Sequence, residues 1–252
     1  MVQLLRNRGD QVKSAMLPVA GDFLFRYRNV IFPLCWPLAL FPSPTLFDHP
    51  LLAAGLGFAI AAIGQSVRAT TIGLQYIVRG GRNRRVYAKD LVTGGVYAHT
   101  RNPMYVGNVL ILVGLAIASN SWVCIAVLIP VYVFVCIAIV AAEERYLRER
   151  FGADFAAYCR DVPQWLPRLR GIRSTLAEHQ FNWRRLVIKE YGTPLGWTWT
   201  WGILVLLSLA RADGGIGAYR TSALAIIIVM SVMLVLWILA RIMKKSRRWN
   251  ST

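Results

Sequence analysis

Long stretches without charged residues alternate with short basic segments along most of this chain. A helix needs about 20 predominantly apolar residues to cross a bilayer. Ser119-Asn120-Ser121 interrupts the longest uncharged stretch near its middle and predicts a tight turn between two helices. The pattern therefore predicts an all-α, polytopic membrane protein with about six transmembrane helices. The uncharged stretches are residues 29–47, 50–67, 102–142, 191–210 and 222–240.

The basic residues divide unevenly among the loops that six crossings create. Of the 29 Lys and Arg residues, 27 lie in segments that this topology places on one side of the membrane, and only Arg211 and Arg220 lie on the other. This asymmetry is typical of the positive-inside rule. It predicts an integral membrane protein with both termini in the cytoplasm. The preference for Arg over Lys indicates a bacterial source, and hence the inner membrane.

The composition agrees with a membrane protein and excludes several other classes. Hydrophobic residues make up 56 % of the chain and charged residues 16 %, against about 25 % in a soluble domain. The net charge of +17 is explained by topology, so we predict no nucleic-acid partner. Four scattered cysteines and three histidines show no zinc-binding spacing, and we predict no metal site.

Two polar segments next to the apolar hairpin are the candidate functional sequences. The first, residues 91–107, runs into the third predicted crossing, and the second begins at Glu143-Glu144, where the fourth ends. A hairpin returns its two ends to the same membrane face, so we expect these segments to meet. Each also has a purely structural interpretation. Arg101 would anchor a helix, Pro103 would occupy its first turn, and Gly107 would allow close helix packing.

Taken together, the two segments resemble the isoprenylcysteine carboxyl methyltransferase family and related integral-membrane phospholipid methyltransferases. The resemblance covers roughly residues 50–168 and depends on the spacing of both motifs around the hairpin. The family usually has a histidine where this chain has Asn102, which can donate a hydrogen bond but cannot take up a proton. The matching positions are Gly95-Val96-Tyr97, Arg101 to Gly107, Glu143-Glu144, Leu147, Phe151-Gly152 and Tyr158.

The resemblance implies methyl transfer from S-adenosylmethionine to a lipophilic acceptor, with the cofactor held by cytoplasmic segments. Arg101 suits the carboxylate of the cofactor, a glutamate suits its ammonium group, and tyrosine rings suit its sulfonium. The implied cofactor-binding residues are Tyr97, Arg101, Asn102, Pro103, Tyr105, Gly107, Glu143, Glu144, Tyr146 and Leu147. The implied catalytic residues are Arg101, His99 and Glu144, with His99 either a general base or a hydrogen-bonded structural residue.

Three functions remain open at this level. O-methylation of a carboxylate is favoured by the family resemblance, N-methylation of a phospholipid headgroup amine is the alternative, and a non-enzymatic scaffold or transporter is the third. The expected partners are membrane lipids and a lipophilic small-molecule or lipid substrate. We expect that substrate to enter near Met104, Trp197 and Trp201. The predicted division is a cytoplasmic segment 1–28, a methyltransferase core 29–168, and a linker with an extra helix pair 169–252.

Overall fold

The computed structural model of this chain describes residues 17–27, 36–75 and 88–245. Every regular element in these residues is helical, which confirms the all-α prediction for them. Two short 3-10 turns, Trp36–Leu40 and Gly95–Ala98, accompany the α-helices. In chain order the α-helices are α1 (17–27), α2 (Pro50–Leu74), α3 (Pro103–Ala118), α4 (Trp122–Asp161), α5 (Ile172–Glu178), α6 (Trp183–Glu190), α7 (Gly192–Arg211), α8 (Gly215–Ala218) and α9 (Arg220–Lys245).

Several of the described helices are suited to a membrane. Helices α2, α4 and α9 are long and apolar enough to cross one, and α3 is a shorter apolar helix of 16 residues. Helix α7 has 20 residues, about the length that a crossing needs. The described helices therefore support a polytopic membrane protein, and the number of six crossings stays a prediction.

The first predicted crossing is not a continuous α-helix in its described part. Residues 28–35 lie outside the described residues, Trp36–Leu40 is a 3-10 turn, and residues 41–49 are irregular. The physical reason is proline, which has no amide hydrogen for a helical bond. The carbonyl of Pro44 instead accepts a hydrogen bond from the amide of Trp122 at 3.2 Å. This part of the chain thus packs against the start of α4.

The predicted hairpin is confirmed, and its second arm is longer than expected. Asn120 has a left-handed φ of 50°, and the Ser121 hydroxyl accepts the Cys124 amide at 3.3 Å, which caps α4. Helix α4 then continues for 40 residues, past Glu143-Glu144, to Asp161. Gly152, with φ 48°, introduces the only non-helical backbone within it. This kink divides α4 into a long apolar part and a shorter second part that ends at Asp161.

Helices α2 and α3 pack with their backbones in close contact. A Cβ atom at Gly57 would lie 2.4 Å from the carbonyl oxygen of Gly114, and one at Gly64 would lie 2.6 Å from that of Gly107. Small residues permit such approach between membrane helices. Gly107 therefore faces α2, and the opposite side of α3 is free to face α4.

The helices bring the predicted loops together at two ends of the bundle. At one end, Asn120 bonds to Phe47, and Arg211 donates to the carbonyls of Ala39 and Leu40 at 2.7 and 2.9 Å. The other end carries both candidate segments, and we call it the motif end. The six-crossing topology predicts the same two groups of loops, while their orientation toward the cytoplasm stays a prediction.

Candidate functional site

Two side-chain contacts join the candidate segments at the motif end. The Nε atom of Arg101 donates to Oε1 of Glu144 at 3.1 Å, and the hydroxyl of Tyr105 donates to Oε1 of Glu143 at 2.7 Å. Neighbouring residues on a helix point about 100° apart, so the two glutamates reach different partners. The structure thus brings together two segments that are about 40 residues apart in the sequence.

Arg101 also binds the end of α4. Its Nη1 atom donates to the carbonyls of Cys159 and Val162 at 3.0 and 3.2 Å. Carbonyls in the last turn of a helix have no intrahelical partner and carry partial negative charge, so a guanidinium suits them. The side chains of Arg101 and Glu144 are only 13 % and 12 % exposed. The guanidinium is therefore held in a partly buried, electronegative position.

The residues around Arg101 hold the segment that follows α4, residues 163–168, which we call the roof segment. The Thr100 hydroxyl donates to the carbonyl of Trp165 at 3.1 Å, and the backbone amide of Arg101 donates to that of Pro163 at 2.9 Å. Nδ2 of Asn102 donates to the carbonyl of Gln164 at 3.2 Å. Residues 99–102 thus hold the roof segment in place by hydrogen bonds, and we call these four residues the clasp.

His99 is buried and has a partner at each ring nitrogen. Its Nδ1 atom lies 2.7 Å from the carbonyl oxygen of Arg168, which can only accept, so Nδ1 carries the hydrogen. In the neutral ring, Nε2 then accepts from the Thr175 hydroxyl, 2.8 Å away; the same hydroxyl also lies 3.2 Å from the Gly171 carbonyl oxygen, the weaker of its two acceptors by distance. Service as a general base would require Nε2 to give up Thr175. This geometry matches the structural interpretation of His99.

Asn102 is buried and acts as a donor at the position where the family resemblance implies a histidine. Asn102 is the N-cap residue of α3, but its side chain makes no capping hydrogen bond to that helix. The structure uses one amide N–H of Asn102, toward Gln164. A histidine N–H could donate in the same way, so the substitution preserves this hydrogen bond.

Three more predicted residues lie in or beside a small apolar cluster next to the ion pair. Leu147 is buried in it with Phe155 and Tyr158, and Tyr146 packs against its edge. Tyr97 lies in the 3-10 turn, and its carbonyl accepts the Tyr158 hydroxyl at 2.7 Å. These residues hold the last part of α4 against the clasp.

Gly107 is the predicted residue that the structure does not bring to this group. It contacts Gly64 and Arg68 on α2. Tyr105 and Gly107 are two positions apart, about 200° around the helix, so one faces α4 while the other faces α2.

An apolar cavity of about 310 Å³ lies between α3, α4 and the roof segment. It begins one residue after Tyr105, at Val106, and Leu166 at its edge is 83 % exposed. The cavity therefore lies next to the candidate site, and one of its edges is at the surface of the bundle. Its lining residues are Val106, Val109, Leu110, Val133, Cys136, Ile137, Trp165, Leu166 and Pro167.

The tryptophans expected at a substrate entrance lie elsewhere. The Nε1 atom of Trp197 donates to Oε1 of Gln65 at 3.1 Å, and that of Trp201 donates to the carbonyl of Ala54 at 3.0 Å. Both rings are buried between α7 and α2. They pack helices together instead of lining the cavity.

Sequence reasoning missed the clasp partners and the cavity. The roof segment contributes mainly backbone carbonyls, which every residue has, so no residue type in the sequence marks them. The cavity wall comes from three separate parts of the chain. A buried ion pair between Arg68 and Glu190 was missed as well. Its only sequence signal is a lone arginine in an otherwise uncharged helix. In the described part of the chain, no group of three or more His, Cys, Asp or Glu side chains could hold a metal ion.

Comparison with known proteins identifies the family. The sequence model of the phospholipid methyltransferase family matches residues 51–154. The cobalt-zinc-cadmium resistance protein CzcN of Cupriavidus metallidurans is 32 % identical over 177 residues, which cover 65 % of this chain and 76 % of that protein. The nickel-cobalt-cadmium resistance protein NccN of Alcaligenes xylosoxydans xylosoxydans is 28 % identical over 137 residues, 54 % of this chain and 62 % of that one. No solved structure matches.

The matched region is the part of the chain that carries the site. It contains α2, α3 and most of α4, with the Arg101–Glu144 and Tyr105–Glu143 contacts. The resemblance predicted from the two motifs is thereby confirmed. The chain belongs to the phospholipid methyltransferase family, the family of isoprenylcysteine carboxyl methyltransferase-like membrane methyltransferases.

Proposed function

We propose that this protein transfers the methyl group of S-adenosylmethionine to a lipophilic acceptor at the motif end of the bundle. The observation that carries the proposal is the joining of the two motifs, Arg101 to Glu144 and Tyr105 to Glu143, directly beside an apolar cavity. Membership of a family of membrane methyltransferases supports it.

The residues at the motif end fit the polar half of S-adenosylmethionine. The partly buried Arg101 guanidinium would hold the cofactor's carboxylate, and Glu143 or Glu144 would hold its ammonium group through charge-assisted hydrogen bonds. The rings of Tyr105 and Tyr146 would face its cationic end. When bound, the cofactor supplies an electrophilic methyl group on its sulfonium.

The rest of the site is suited to a lipophilic acceptor. The cavity walls are apolar side chains of α3 and α4, and the roof segment covers them. Thr100, Asn102 and His99 of the clasp hold the roof segment by hydrogen bonds. Held there, the roof segment would exclude water from the reacting groups. The protein thus contributes orientation and a dry environment, the main requirements of a displacement between two bound reactants.

Within this proposal, O-methylation of a carboxylate is favoured over N-methylation of an amine. A carboxylate acceptor is already ionised and needs no base. An ammonium headgroup must first lose a proton, and both ring nitrogens of the nearby His99 are engaged with Arg168 and Thr175. The engaged state of His99 is the observation that favours the carboxylate.

Calorimetry of S-adenosylmethionine binding to the purified protein tests the cofactor site. Removal of one charge-assisted hydrogen bond costs about 1.5–3 kcal/mol, so Arg101→Ala and Glu144→Gln should each weaken binding about tenfold to a hundredfold. Glu149→Gln is the matched control, because Glu149 lies on the same helix and is exposed. The assignment is wrong if both site variants bind like the wild type, or if the wild type does not bind.

The type of acceptor is tested by methyl transfer from radiolabelled cofactor. Amphiphiles that carry a single carboxylate or a single amine would be compared at equal chain length. Alkaline hydrolysis of the product releases methanol from a methyl ester but not from an N-methylamine. We expect volatile label from the carboxylate amphiphile, and stable label from the amine would reverse the preference.

The names of the two relatives suggest a cellular test. CzcN and NccN are named for resistance to cobalt, cadmium and zinc or nickel. We propose that any contribution of this chain to metal resistance depends on its methylation site. Arg101→Ala and Glu144→Gln should then lose resistance together with methyl transfer. Resistance that survives in both variants would instead support a non-enzymatic scaffold or transporter.

A further inference from the structure

A second buried polar cluster lies on the side of α3 that faces α2 and α7. Arg68 on α2 and Glu190 at the end of α6 form a bidentate ion pair, with Nε to Oε1 at 2.6 Å and Nη2 to Oε2 at 2.9 Å. Their side chains are only 11 % and 4 % exposed. Burying two charges next to a membrane is costly, so the pair calls for a physical explanation.

The surrounding residues satisfy both charges. Nε2 of Gln65 donates to Glu190 at 3.2 Å, and Oε1 of Gln65 accepts from Trp197. Arg68 donates further to Oδ1 of Asn108 and to the Thr193 hydroxyl. These contacts join α2, α3, α6 and α7. We call the cluster the lock; its residues are Gln65, Arg68, Asn108, Glu190, Thr193 and Trp197. A well-packed apolar pair often replaces a buried ion pair without loss of stability, and specificity of packing is the alternative reason to keep it.

The lock contacts α3 immediately after the site residue Tyr105. A Cβ atom at Gly107 would lie 2.6 Å from Cγ of Arg68, so the arginine stem fills the space above that glycine. The guanidinium binds the next residue, Asn108. A rotation of α3 that broke these contacts would also carry the Tyr105 hydroxyl away from Glu143, because a helix turns as a rigid body.

The lock also connects the region that the family model matches to the region that follows it. Arg68 and Asn108 lie in the matched region 51–154, whereas Glu190 and Thr193 lie beyond it. The helices that follow residue 154 therefore reach into the core beside α3.

We propose that Arg68 and Glu190 are positioning residues. Their ion pair sets the rotation of α3 against α2 and α7, and thereby holds Tyr105 against Glu143. The C-terminal helices thus take part in the geometry of the site. The effect on cofactor affinity rests on the proposed function, whereas the effect on helix rotation does not.

The test replaces the pair with apolar residues, in the double variant Arg68→Met/Glu190→Leu, which separates packing from positioning. We expect a folded protein whose affinity for S-adenosylmethionine falls about tenfold to a hundredfold, the effect expected when one charge-assisted hydrogen bond at the site is lost. Trp201→Phe is the matched control. It removes another buried hydrogen bond between α7 and α2, to Ala54, and leaves the lock intact.

A second measurement does not need the cofactor. Cys136 lines the cavity together with Val106 and Val109 of α3 and is only 2 % exposed. Its modification by a lipophilic maleimide is therefore slow while α3 holds its position, and a displaced α3 raises the rate. Peptide mass spectrometry identifies the modified residue. We expect the rate in the double variant to differ several-fold from that of the wild type and of Trp201→Phe.

The outcomes distinguish the two proposals. A folded double variant with wild-type Cys136 reactivity, or a Trp201→Phe variant with the same altered rate, overturns the positioning role. An altered rate in the double variant alone, with no cofactor binding by the wild type, supports positioning and rejects the proposed function. If the double variant does not fold, Arg68→Lys is measured under the same criteria, since lysine keeps the charge and loses the bidentate geometry.

Discussion

At the scale of single residues, the segment from His99 to Asn102 divides its side chains between two tasks. Arg101 binds Glu144 and the last carbonyls of α4, while its neighbours bind carbonyls of the roof segment, including that of Arg168. Each of these four side chains therefore acts as a hydrogen-bond donor. At position 102, where the family resemblance implies a histidine, Asn102 supplies such a donor to the Gln164 carbonyl.

The first prediction concerns Asn102. Asn102→His keeps a donor toward the Gln164 carbonyl, so we expect thermal stability and cofactor affinity close to those of the wild type. Asn102→Asp places an acceptor against that carbonyl, and leaving buried polar groups unpaired costs about 1–3 kcal/mol. Thermal unfolding in detergent should show a lower Tm for the aspartate variant alone. Equal Tm values for the two variants would contradict the donor role.

The second prediction separates the two interpretations of His99. Thr175→Val removes the hydroxyl at Nε2 of His99, and a net loss of about 0.5–1.5 kcal/mol is typical of one hydrogen bond. We expect both Thr175→Val and His99→Gln to lower Tm, and His99→Gln to retain turnover of a carboxylate acceptor. Ser174→Ala is the control, because Ser174 is exposed and bonds only locally, to Gly171. Complete loss of turnover in His99→Gln at wild-type Tm would establish a general base.

At the scale of elements, the glycines of α2 and α3 decide how closely the hairpin approaches its neighbour. The apolar stretches predicted both helices, but their hydrophobicity does not select one face. The faces are selected by Gly57, Gly64, Gly107 and Gly114, whose backbones touch across the interface. This contact directs Gly107 toward α2 and Tyr105 toward α4.

The third prediction tests this interface with two glycines of one helix. A methyl group at Gly57 would lie 2.4 Å from the Gly114 carbonyl, while one at Gly55 would meet nothing within 4 Å. Overpacking costs typically about 1–3 kcal/mol, so Gly57→Ala should lower Tm clearly. Gly55→Ala should leave Tm unchanged or raise it, because alanine favours a helix by about 1 kcal/mol. The same Tm for both variants would show that the two helices are not in contact at Gly57.

At the scale of the whole molecule, the loops lie at two opposite ends of the helix bundle. The distribution of Lys and Arg residues predicts which end faces the cytoplasm. Residues 39–47, 119–121 and Arg211 meet at the end opposite the motifs. The motif end carries most of the basic residues that follow α4. Cofactor from the cytoplasm and acceptor from the bilayer could then reach the same site from different sides.

The fourth prediction tests this orientation by cysteine labelling of intact cells with a membrane-impermeant reagent. We expect Asp48→Cys and Asp213→Cys, both exposed at the end opposite the motifs, to react from outside. Arg170→Cys, exposed beyond the roof segment, should react only after permeabilisation. The reverse pattern would invert the topology that the basic residues predict.

The sequence by itself determined the properties that depend on local composition. Uncharged stretches specify membrane helices, Ser119-Asn120-Ser121 specifies the hairpin turn, and the paired motifs specify the family. The sequence pattern was less informative where prolines interrupt residues 36–47, and where α4 continues past a kink at Gly152 to Asp161. These are features of single segments.

The tertiary structure alone decided which glutamate binds Arg101, what covers the cavity, and how Arg68 is neutralised. The partners in these contacts are separated by 43, 65 and 122 residues. Such contacts depend on the rotation of each helix about its axis, and that rotation is set by backbone approach at a few glycines and by buried hydrogen bonds. Hydrophobic stretches that are apolar on every side do not encode it.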